Sequence, residues 1–204
     1  MGIGEAIATT LAKAGANLTL FSRTEEKLQK IVSAVEEATP SAKVSYCPVD
    51  IQNYQSVQEA VARAVKERGH IDVLINNAGL ALGAPSRFHE LKIEDILTMN
   101  QTNVNGTMFM TYAVLNASMA PRNSGTILNV SSVTGLECPP FPGEAVYHAN
   151  KAAMEGFSNA LRNELVGTDV KVLVVRPGVV DTNFHEQRVG YDKNLHDSFF
   201  EGFE

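Results

Sequence analysis

Tyr147 and Lys151 lie four residues apart in the sequence, and four residues make about one turn of an α-helix. If this segment is helical, the phenol and the ammonium group lie on one face. A neighbouring cation favours the phenolate, so we expect Lys151 to lower the pKa of Tyr147 toward neutrality. Such a phenol can pass a proton to or from a substrate oxygen. The spacing alone decides little, because it arises by chance in roughly one chain in four.

Ser132 provides a hydroxyl group that could act with this pair. It follows the apolar run 125–131, which opens with a glycine and is typical of a buried parallel strand. Downstream of Lys151, apolar residues recur at helical spacing. A hydroxyl at the carboxyl end of a strand and a Tyr/Lys pair at the start of the next helix meet where open α/β sheets bind ligands. We therefore predict that Ser132, Tyr147 and Lys151 form one site.

The elements that must position this site alternate between strand and helix. The pattern predicts strands over 17–21, 43–49, 72–75, 125–131 and 170–175, and helices over 1–14, 25–38, 56–67, 93–119 and 147–166. This alternation predicts an α/β fold: a Rossmann-like, doubly wound parallel sheet with helices on both faces. The length fits one domain over residues 1–204. Periodicity is lost from Val179 onward, so we predict an irregular tail.

The composition excludes several classes of partner. The net charge is −6, and the lysines and arginines are scattered, so we expect no nucleic-acid partner. No apolar run approaches the ~20 residues of a membrane span, and the first residues show no basic segment followed by a signal-peptide core. We therefore expect a soluble cytoplasmic protein without a membrane partner. Cys47 and Cys138 lack CxxC spacing and the five histidines lack ligand spacing, so we predict no metal.

Two short motifs suggest a dinucleotide. Gly2, Ile3 and Gly4 open the first helix, where backbone amides and the helix dipole can bind a pyrophosphate. Ser22 and Arg23 follow the predicted strand 17–21. A small residue followed by Arg leaves room for a ribose 2′-phosphate, which favours NADP over NAD. Glycine is also common at flexible chain starts, and a solvated surface position is the alternative for Arg23.

Polar and small residues follow the next two strands. Asp50 and Ile51 end the strand over 43–49, and Asn77, Ala78 and Gly79 end the strand over 72–75. Ala-Gly lets a flat ring pack close to the main chain, although turn chemistry alone also explains the motif.

Two further polar residues lie within predicted helices. Asn103 falls inside the helix over 93–119, where a buried amide needs partners, so it is either a structural clamp or a holder of water. His148 points about 100° away from Tyr147 around the helix and receives no role.

Together these residues resemble the short-chain dehydrogenase/reductase family. The family's motifs occur in its order at Gly2–Gly4, Asn76–Gly79, Asn103, Ser132, Tyr147, Lys151 and 177–182. Within the family, the stretches 76–83 and 176–184, followed by Arg188, Gly190 and Asp192, are most similar to NADP-dependent 3-hydroxy acid dehydrogenases that oxidise serine or allo-threonine.

The resemblance implies a role for each site residue. Tyr147 is expected to be the acid/base, Lys151 to lower its pKa and bond the nicotinamide ribose, and Ser132 to hold the reacting oxygen. Asn103 is expected to position a proton-relay water. Val180 and Thr182 are expected to contact the nicotinamide amide. The full implied NADP-binding set is Gly2, Ile3, Gly4, Ser22, Arg23, Asp50, Ile51, Asn77, Ala78, Gly79, Tyr147, Lys151, Pro177, Gly178, Val180 and Thr182.

The resemblance also implies what surrounds this site. Family members have a strand before the residues matching Gly2, lying between their second and fourth strands, and a helix and strand beyond the residues matched here, so we expect a domain shortened at both ends. The spacing from Ser132 to Tyr147 exceeds the family's usual one, which places an insertion in the Pro-rich loop 139–143. The helices over 93–119 and 147–166 resemble the family's dimer interface and imply a homodimer or homotetramer.

Two functions follow as hypotheses. The first is an NADP-dependent oxidoreductase acting on a secondary alcohol, such as a 3-hydroxy acid, and its ketone. The alternative is a catalytically inactive relative that acts at most through helix-mediated oligomerisation. A flavodoxin-like binding module leaves the Ser/Tyr/Lys set unexplained.

Overall fold

A computed structural model describes residues 2–139 and 142–201. Met1 and the centre of the Pro-rich loop, Pro140 and Phe141, lie outside the described residues. The five strands lie close to their predicted positions: β1 (Asn17–Ser22), β2 (Lys43–Pro48), β3 (Val73–Asn76), β4 (Ser124–Val130) and β5 (Asp169–Val175).

The strands pair in parallel, as predicted, but they form two sheets within the described residues. One contains β1 and β2, and the other has the order β3-β4-β5. β4 is central in the second sheet, pairing with β3 on one side and with β5 along its whole length on the other. The division falls between β1 and β3, where the family resemblance places the strand that precedes Gly2.

The predicted helices are also present. They are α1 (Ile3–Lys13), α2 (Glu25–Ala38), α3 (Tyr54–Arg68), α4 (Ile93–Asn100), α5 (Thr107–Val114) and α7 (Ala145–Glu164), and a short helix beyond the predicted bounds, α6 (Ala120–Arg122), precedes β4. The predicted long helix over 93–119 is α4 and α5 with two wider π-helical segments, Gln101–Gly106 and Leu115–Met119. The main core packs residues of α3, α5 and α7, among them Val57, Val114 and Leu161, against Ile127 of β4 and Val172 of β5. This packing fixes α7 against the sheet.

A buried network of polar side chains also fixes how the helices and strands pack against one another. The Asn76 amide donates to Thr111 Oγ1 at 3.0 Å and to Asn129 Oδ1 at 2.8 Å. The Asn129 amide donates in turn to Ser158 Oγ at 2.8 Å, and Ser158 donates to the Met154 carbonyl. All four polar side chains are buried. Because buried polar groups require partners, the network ties β3 and β4 to α5 and α7 in one register.

The prediction of an irregular tail after Val179 is wrong. The tail contains two short helices, α8 (Asn183–Arg188) and α9 (Lys193–Phe200). Their N-termini are capped by Thr182, which accepts from Phe184 N, and by Asp192, which accepts from Asn194 N and Leu195 N. Helices of this length are too short for apolar periodicity to reveal, but Thr and Asp at the caps are the sequence signal that could have found them.

None of the described helices has both the length and the apolar character needed to cross a membrane.

Candidate active site

Ser132 lies just beyond the carboxyl end of β4 and caps the 3₁₀ turn Val133–Gly135. Its Oγ accepts a hydrogen bond from Thr134 N at 3.2 Å and another from Thr134 Oγ1 at 3.0 Å. The side chain is largely removed from solvent, because the residue is 9% exposed. The hydroxyl is therefore fixed at the sheet edge where the sequence predicts a site.

Tyr147 and Lys151 occupy the first two turns of α7 and lie on one face, as their spacing predicts. Lys151 Nζ lies over the Tyr147 ring, 5.6 Å from its centroid. The Ser132 hydroxyl is a hydrogen-bond partner of the Tyr147 phenol. The structure therefore brings the three predicted side chains together on the same side of the sheet.

The predicted direction of the Tyr147 pKa is wrong in this structure. Burial raises the pKa of Tyr147 to about 12, although the hydrogen bond from Ser132 opposes this rise. Lys151 Nζ donates to the Val130 carbonyl at 2.8 Å and lies over the ring face. Burial also lowers the pKa of Lys151 to about 8. The effect of burial on both groups exceeds the attraction that the sequence argument assumed.

Asn103 lies in the π-helical segment Gln101–Gly106 and is fully buried. Its amide donates to the Leu80 carbonyl at 2.7 Å, its Oδ1 accepts from Leu80 N at 2.8 Å, and the amide also donates to Asn150 Oδ1 at 3.1 Å. Of the two alternatives for this residue, the structure shows the clamp, which holds the backbone after Gly79. A role in positioning water stays a prediction. Single π-helical turns are frequent at functional sites.

Three motifs that are distant in sequence meet at the start of α1. A Cβ built on Gly4 would lie 2.6 Å from Asn77 Nδ2, and one built on Gly2 would lie 3.3 Å from Thr182 Cβ. A Cβ built on Gly79 would lie 3.6 Å from Lys151 Nζ. These contacts place the N-terminus of α1, Asn77, Gly79 and Lys151 next to one another, and we call this series the α1–Lys151 row. Gly2 is the N-cap of α1 and has no side chain, so it leaves the first backbone amides of the helix without a side-chain cap.

Four other residues of the predicted cofactor site lie at or just after the ends of β1 and β2. Ser22 ends β1 and its Oγ accepts from Thr24 N at 3.4 Å, and Arg23 beside it is exposed. Asp50 is exposed and bonds Gln52 N, whereas the Ile51 side chain packs where a Cβ on Gly106 would be.

The segment after β5 reaches the active-site turn. The Pro177 carbonyl accepts from Val133 N at 3.1 Å, and Gly178 and Val180 follow as exposed residues. A groove of about 600 Å³ is lined by α1 and by Val180, Asp181 and Thr182. Neither Ser132 nor Tyr147 lines it.

Glu144 and Arg188 form a buried ion pair that the sequence analysis missed. Arg188 Nη2 and Glu144 Oε1 are 2.6 Å apart, and the two side chains are 5% and 3% exposed. Burial raises the pKa of Glu144 to about 7, and the Arg188 charge opposes this. The pair fastens α8 to the start of α7, and Phe184 of α8 packs 5.5 Å from the Tyr147 ring between centroids. The available signal was a Glu directly before the Tyr147 helix.

His148 also has a contact that the sequence analysis did not foresee. Its Nδ1 hydrogen-bonds to the Thr134 carbonyl, joining α7 to the turn that carries Ser132. His148 lies about 100° around the helix from Tyr147, so spacing relative to Tyr147 gave no indication of this contact. No group of three or more His, Cys, Asp or Glu within residues 2–139 and 142–201 could hold a metal ion.

Comparisons with known proteins agree with this arrangement. A family model described as short chain dehydrogenase matches residues 1–191. An NADP-dependent 3-hydroxy acid dehydrogenase of Schizosaccharomyces pombe is 38% identical over 206 residues, covering 100% of this chain and 77% of that protein. Sulfoacetaldehyde reductase 2 of Chromohalobacter salexigens is 35% identical over 199 residues, covering 98% and 77%. The closed form of serine dehydrogenase complexed with NADP+ matches with a TM-score of 0.88 at 34% identity, covering 98% and 78%.

Proposed function

Because the chain belongs to the short-chain dehydrogenase family, we propose that it is an NADP-dependent oxidoreductase that interconverts a secondary alcohol and its ketone. The observation that carries this proposal is the meeting of the Ser132 hydroxyl, the Tyr147 phenol and the Lys151 ammonium group at one buried sheet edge. We propose a 3-hydroxy acid such as serine or allo-threonine, or a related hydroxy or keto metabolite, as substrate. The names of the yeast relative and of the serine dehydrogenase structure support this class.

Proton transfer is the task of Tyr147 in this proposal. In reduction, the phenol gives its proton to the carbonyl oxygen of the substrate, and in oxidation the phenolate takes the proton of the alcohol. Ser132 donates a hydrogen bond to the same oxygen. A pKa of about 12 keeps the phenol protonated at neutral pH, which suits the reduction direction. Lys151 and Asn103 complete the proposed catalytic set, Lys151 by binding the ribose and Asn103 by fixing the backbone after Gly79 and holding a water.

The residues along the α1–Lys151 row and beside it suit the phosphates, riboses and rings of NADP. Backbone amides at the start of α1 can bind the pyrophosphate, because they lack partners within the helix and lie at the positive end of its dipole. Gly4 also lies so close to Asn77 that a Cβ on it would be 2.6 Å from Asn77 Nδ2. The exposed Arg23 at the end of β1 can bind a 2′-phosphate. Asp50, Ile51, Asn77–Gly79 and the segment from Pro177 to Thr182 would hold the two rings and riboses. When bound, NADP supplies or accepts the hydride.

The alternative of a catalytically inactive relative is not supported. It would fit a chain whose catalytic side chains were separated or replaced. Here Ser132, Tyr147 and Lys151 lie together, and the glycine-rich helix start contacts Asn77 and Thr182.

We also propose a homodimer or homotetramer in the cytoplasm. The segment that contains α4 and α5 presents large apolar side chains to solvent, with Ile93, Leu97 and Tyr112 exposed by 63%, 62% and 59%. Such exposed apolar surface marks interaction sites. Cys47 and Cys138 are free thiols, as expected in a reducing compartment.

A titration with NADPH tests the proposed function directly. Nicotinamide fluorescence should saturate at micromolar cofactor, whereas NADH should bind more weakly. A screen of serine, allo-threonine, other 3-hydroxy acids and hydrophobic ketones should then show interconversion of NADP+ and NADPH. Absence of any fluorescence change at millimolar NADPH would contradict the proposal, and binding without turnover of any hydroxy or keto compound would contradict the assigned reaction.

A further inference from the structure

The Ser132 hydroxyl has both of its acceptor positions occupied by one residue. Thr134 donates its backbone N–H at 3.2 Å and its side-chain hydroxyl at 3.0 Å to Ser132 Oγ. A serine hydroxyl offers two acceptor lone pairs and one donor hydrogen. With both lone pairs engaged, the single Ser132 proton must point away from Thr134.

The Tyr147 phenol is the other side chain with which the Ser132 hydroxyl interacts. Burial raises the pKa of this phenol, and the hydrogen bond with Ser132 opposes that rise. A hydrogen bond lowers the pKa of an acid when it is donated to the charged form. Because Thr134 occupies both Ser132 lone pairs, the Ser132 proton remains available for donation to the Tyr147 oxygen, where a substrate oxygen would also have to lie.

Thr134 cannot easily turn away, because the surrounding turn is held at several points. The His148 ring hydrogen-bonds to the Thr134 carbonyl, and Val133 N donates to the Pro177 carbonyl at 3.1 Å. A Cβ built on Gly135 would lie 2.9 Å from Ser131 Oγ and 3.2 Å from the Lys151 carbonyl, so the turn packs directly against α7. The two donors of Thr134 are therefore fixed relative to Tyr147 and Lys151.

We propose that Thr134 is a positioning residue that aims the Ser132 proton at the oxygen shared by Tyr147 and the substrate. The inference rests on the proposed function. A hydroxyl already oriented toward the reacting oxygen needs no reorientation as negative charge develops there, which is how preorganised donors accelerate reactions. His148 supports this role by anchoring the carbonyl of Thr134.

Thr134→Val and Thr134→Ser form a matched pair for the test. Valine has nearly the shape of threonine but lacks the hydroxyl, whereas serine keeps the hydroxyl and lacks the methyl group. Thr134→Val should lower kcat for ketone reduction about tenfold, the typical effect of one lost hydrogen bond. It should leave NADPH affinity, measured by fluorescence titration, within about twofold. Thr134→Ser should retain kcat within about twofold of the parent.

A second readout needs no substrate. Difluorotyrosine at position 147 has a lower phenol pKa, so its ionisation can be followed by fluorine NMR while the protein stays folded. Thr134→Val should move that titration midpoint upward by about half a pH unit or more, because the Ser132 proton is no longer directed at the phenolate. Thr134→Ser should leave the midpoint in place.

These outcomes separate the inference from the proposed function. An unchanged midpoint in Thr134→Val would overturn the positioning role whether or not the enzyme turns over. Equal losses in the valine and serine variants would also overturn it, because packing of the methyl group would then be responsible. A shifted midpoint in a protein that reduces no ketone would uphold the role of Thr134 and contradict only the proposed reaction.

Discussion

Glu144 and Lys151 are both ionisable and buried at the start of α7, yet their surroundings differ. The Glu144 carboxylate meets the Arg188 guanidinium at 2.6 Å. The Lys151 ammonium group donates to the Val130 carbonyl at 2.8 Å, and within the described part of the chain it forms no ion pair with a carboxylate. The charge of Glu144 is compensated by the opposite charge of Arg188, whereas the charge of Lys151 meets only the dipole of a backbone carbonyl.

The difference separates a structural pair from a reactive group. A buried charge with a matched partner fastens two elements, here α7 and α8. A buried cation without a carboxylate is costly, and burial lowers the pKa of Lys151 to about 8. Groups kept in such surroundings are typical of functional sites. The contrast therefore supports the proposal that Lys151 takes part in the chemistry, whereas Glu144 attaches the tail to α7.

Replacing Tyr147 by Phe should have the largest effect, and it tests the chemical side of the contrast. Turnover should fall by as much as about 10⁴-fold, since the proton donor and acceptor is removed. NADPH affinity should stay within a few-fold, because the ring that packs against Phe184 is kept. Steady-state kinetics and fluorescence titration measure both quantities. Unchanged turnover would refute the role of Tyr147.

Arg188→Met tests the structural side. At about pH 8 the free energy of unfolding should fall by about 3–5 kcal/mol, because the Glu144 carboxylate is left buried without its partner. The loss should be smaller at about pH 5, since the pKa of Glu144 is already raised to about 7 and the carboxyl then protonates. Urea unfolding at the two pH values measures this. The double variant Glu144→Gln/Arg188→Met should recover most of the stability, and equal losses at both pH values would refute the pairing.

Lys151→Met should stabilise the fold, whereas Arg188→Met should destabilise it. At neutral pH the free energy of unfolding should rise by about 2 kcal/mol, because a buried cation is removed, while turnover is lost. The parent protein should gain stability as the pH rises from about 8 to 10.5, because in this range the unfolded chain binds more protons than the folded one. The variant should lack this gain. A destabilised Lys151→Met protein would show that the ammonium group contributes to the fold, which would remove the contrast.

Arg23→Asp should have the smallest effect and concerns a residue outside the buried pair. The dissociation constant of NADPH should rise about tenfold while that of NADH changes little, since only the 2′-phosphate loses its cation. Lys27→Asp, an exposed residue of α2, is the matched control for the change in charge. An unaltered ratio of the two affinities would count against a phosphate contact at Arg23.

Sequence reasoning succeeded where local patterns determine structure. The strand before Ser132 and the start of α7 follow from an apolar run and from helical spacing, and these two elements bring Ser132, Tyr147 and Lys151 together. Sequence reasoning failed for the pKa of Tyr147, which depends on how deeply the side chain is buried. The pKa of Tyr147 rises because the phenol is removed from water, and no spacing rule reports how deeply a side chain lies.

Pairings between distant segments were also beyond the sequence. Arg188 of α8 meets Glu144, which directly precedes α7, and His148 of α7 reaches the Thr134 carbonyl in the turn after Ser132. A single sequence contains no distance between such residues. The short helices α8 and α9 were detectable only from their capping residues, Thr182 and Asp192.

The buried network of Asn76, Thr111, Asn129 and Ser158 limits how this protein can change by mutation. Replacing Asn129 by an apolar residue removes an acceptor from Asn76 and a donor from Ser158 at the same time. Each single step then leaves a buried polar group without its partner, although an all-apolar replacement of the same volume need not be unstable. Substitutions at these positions should therefore be tolerated together and rejected one at a time, so that the middle of the sheet evolves as one unit.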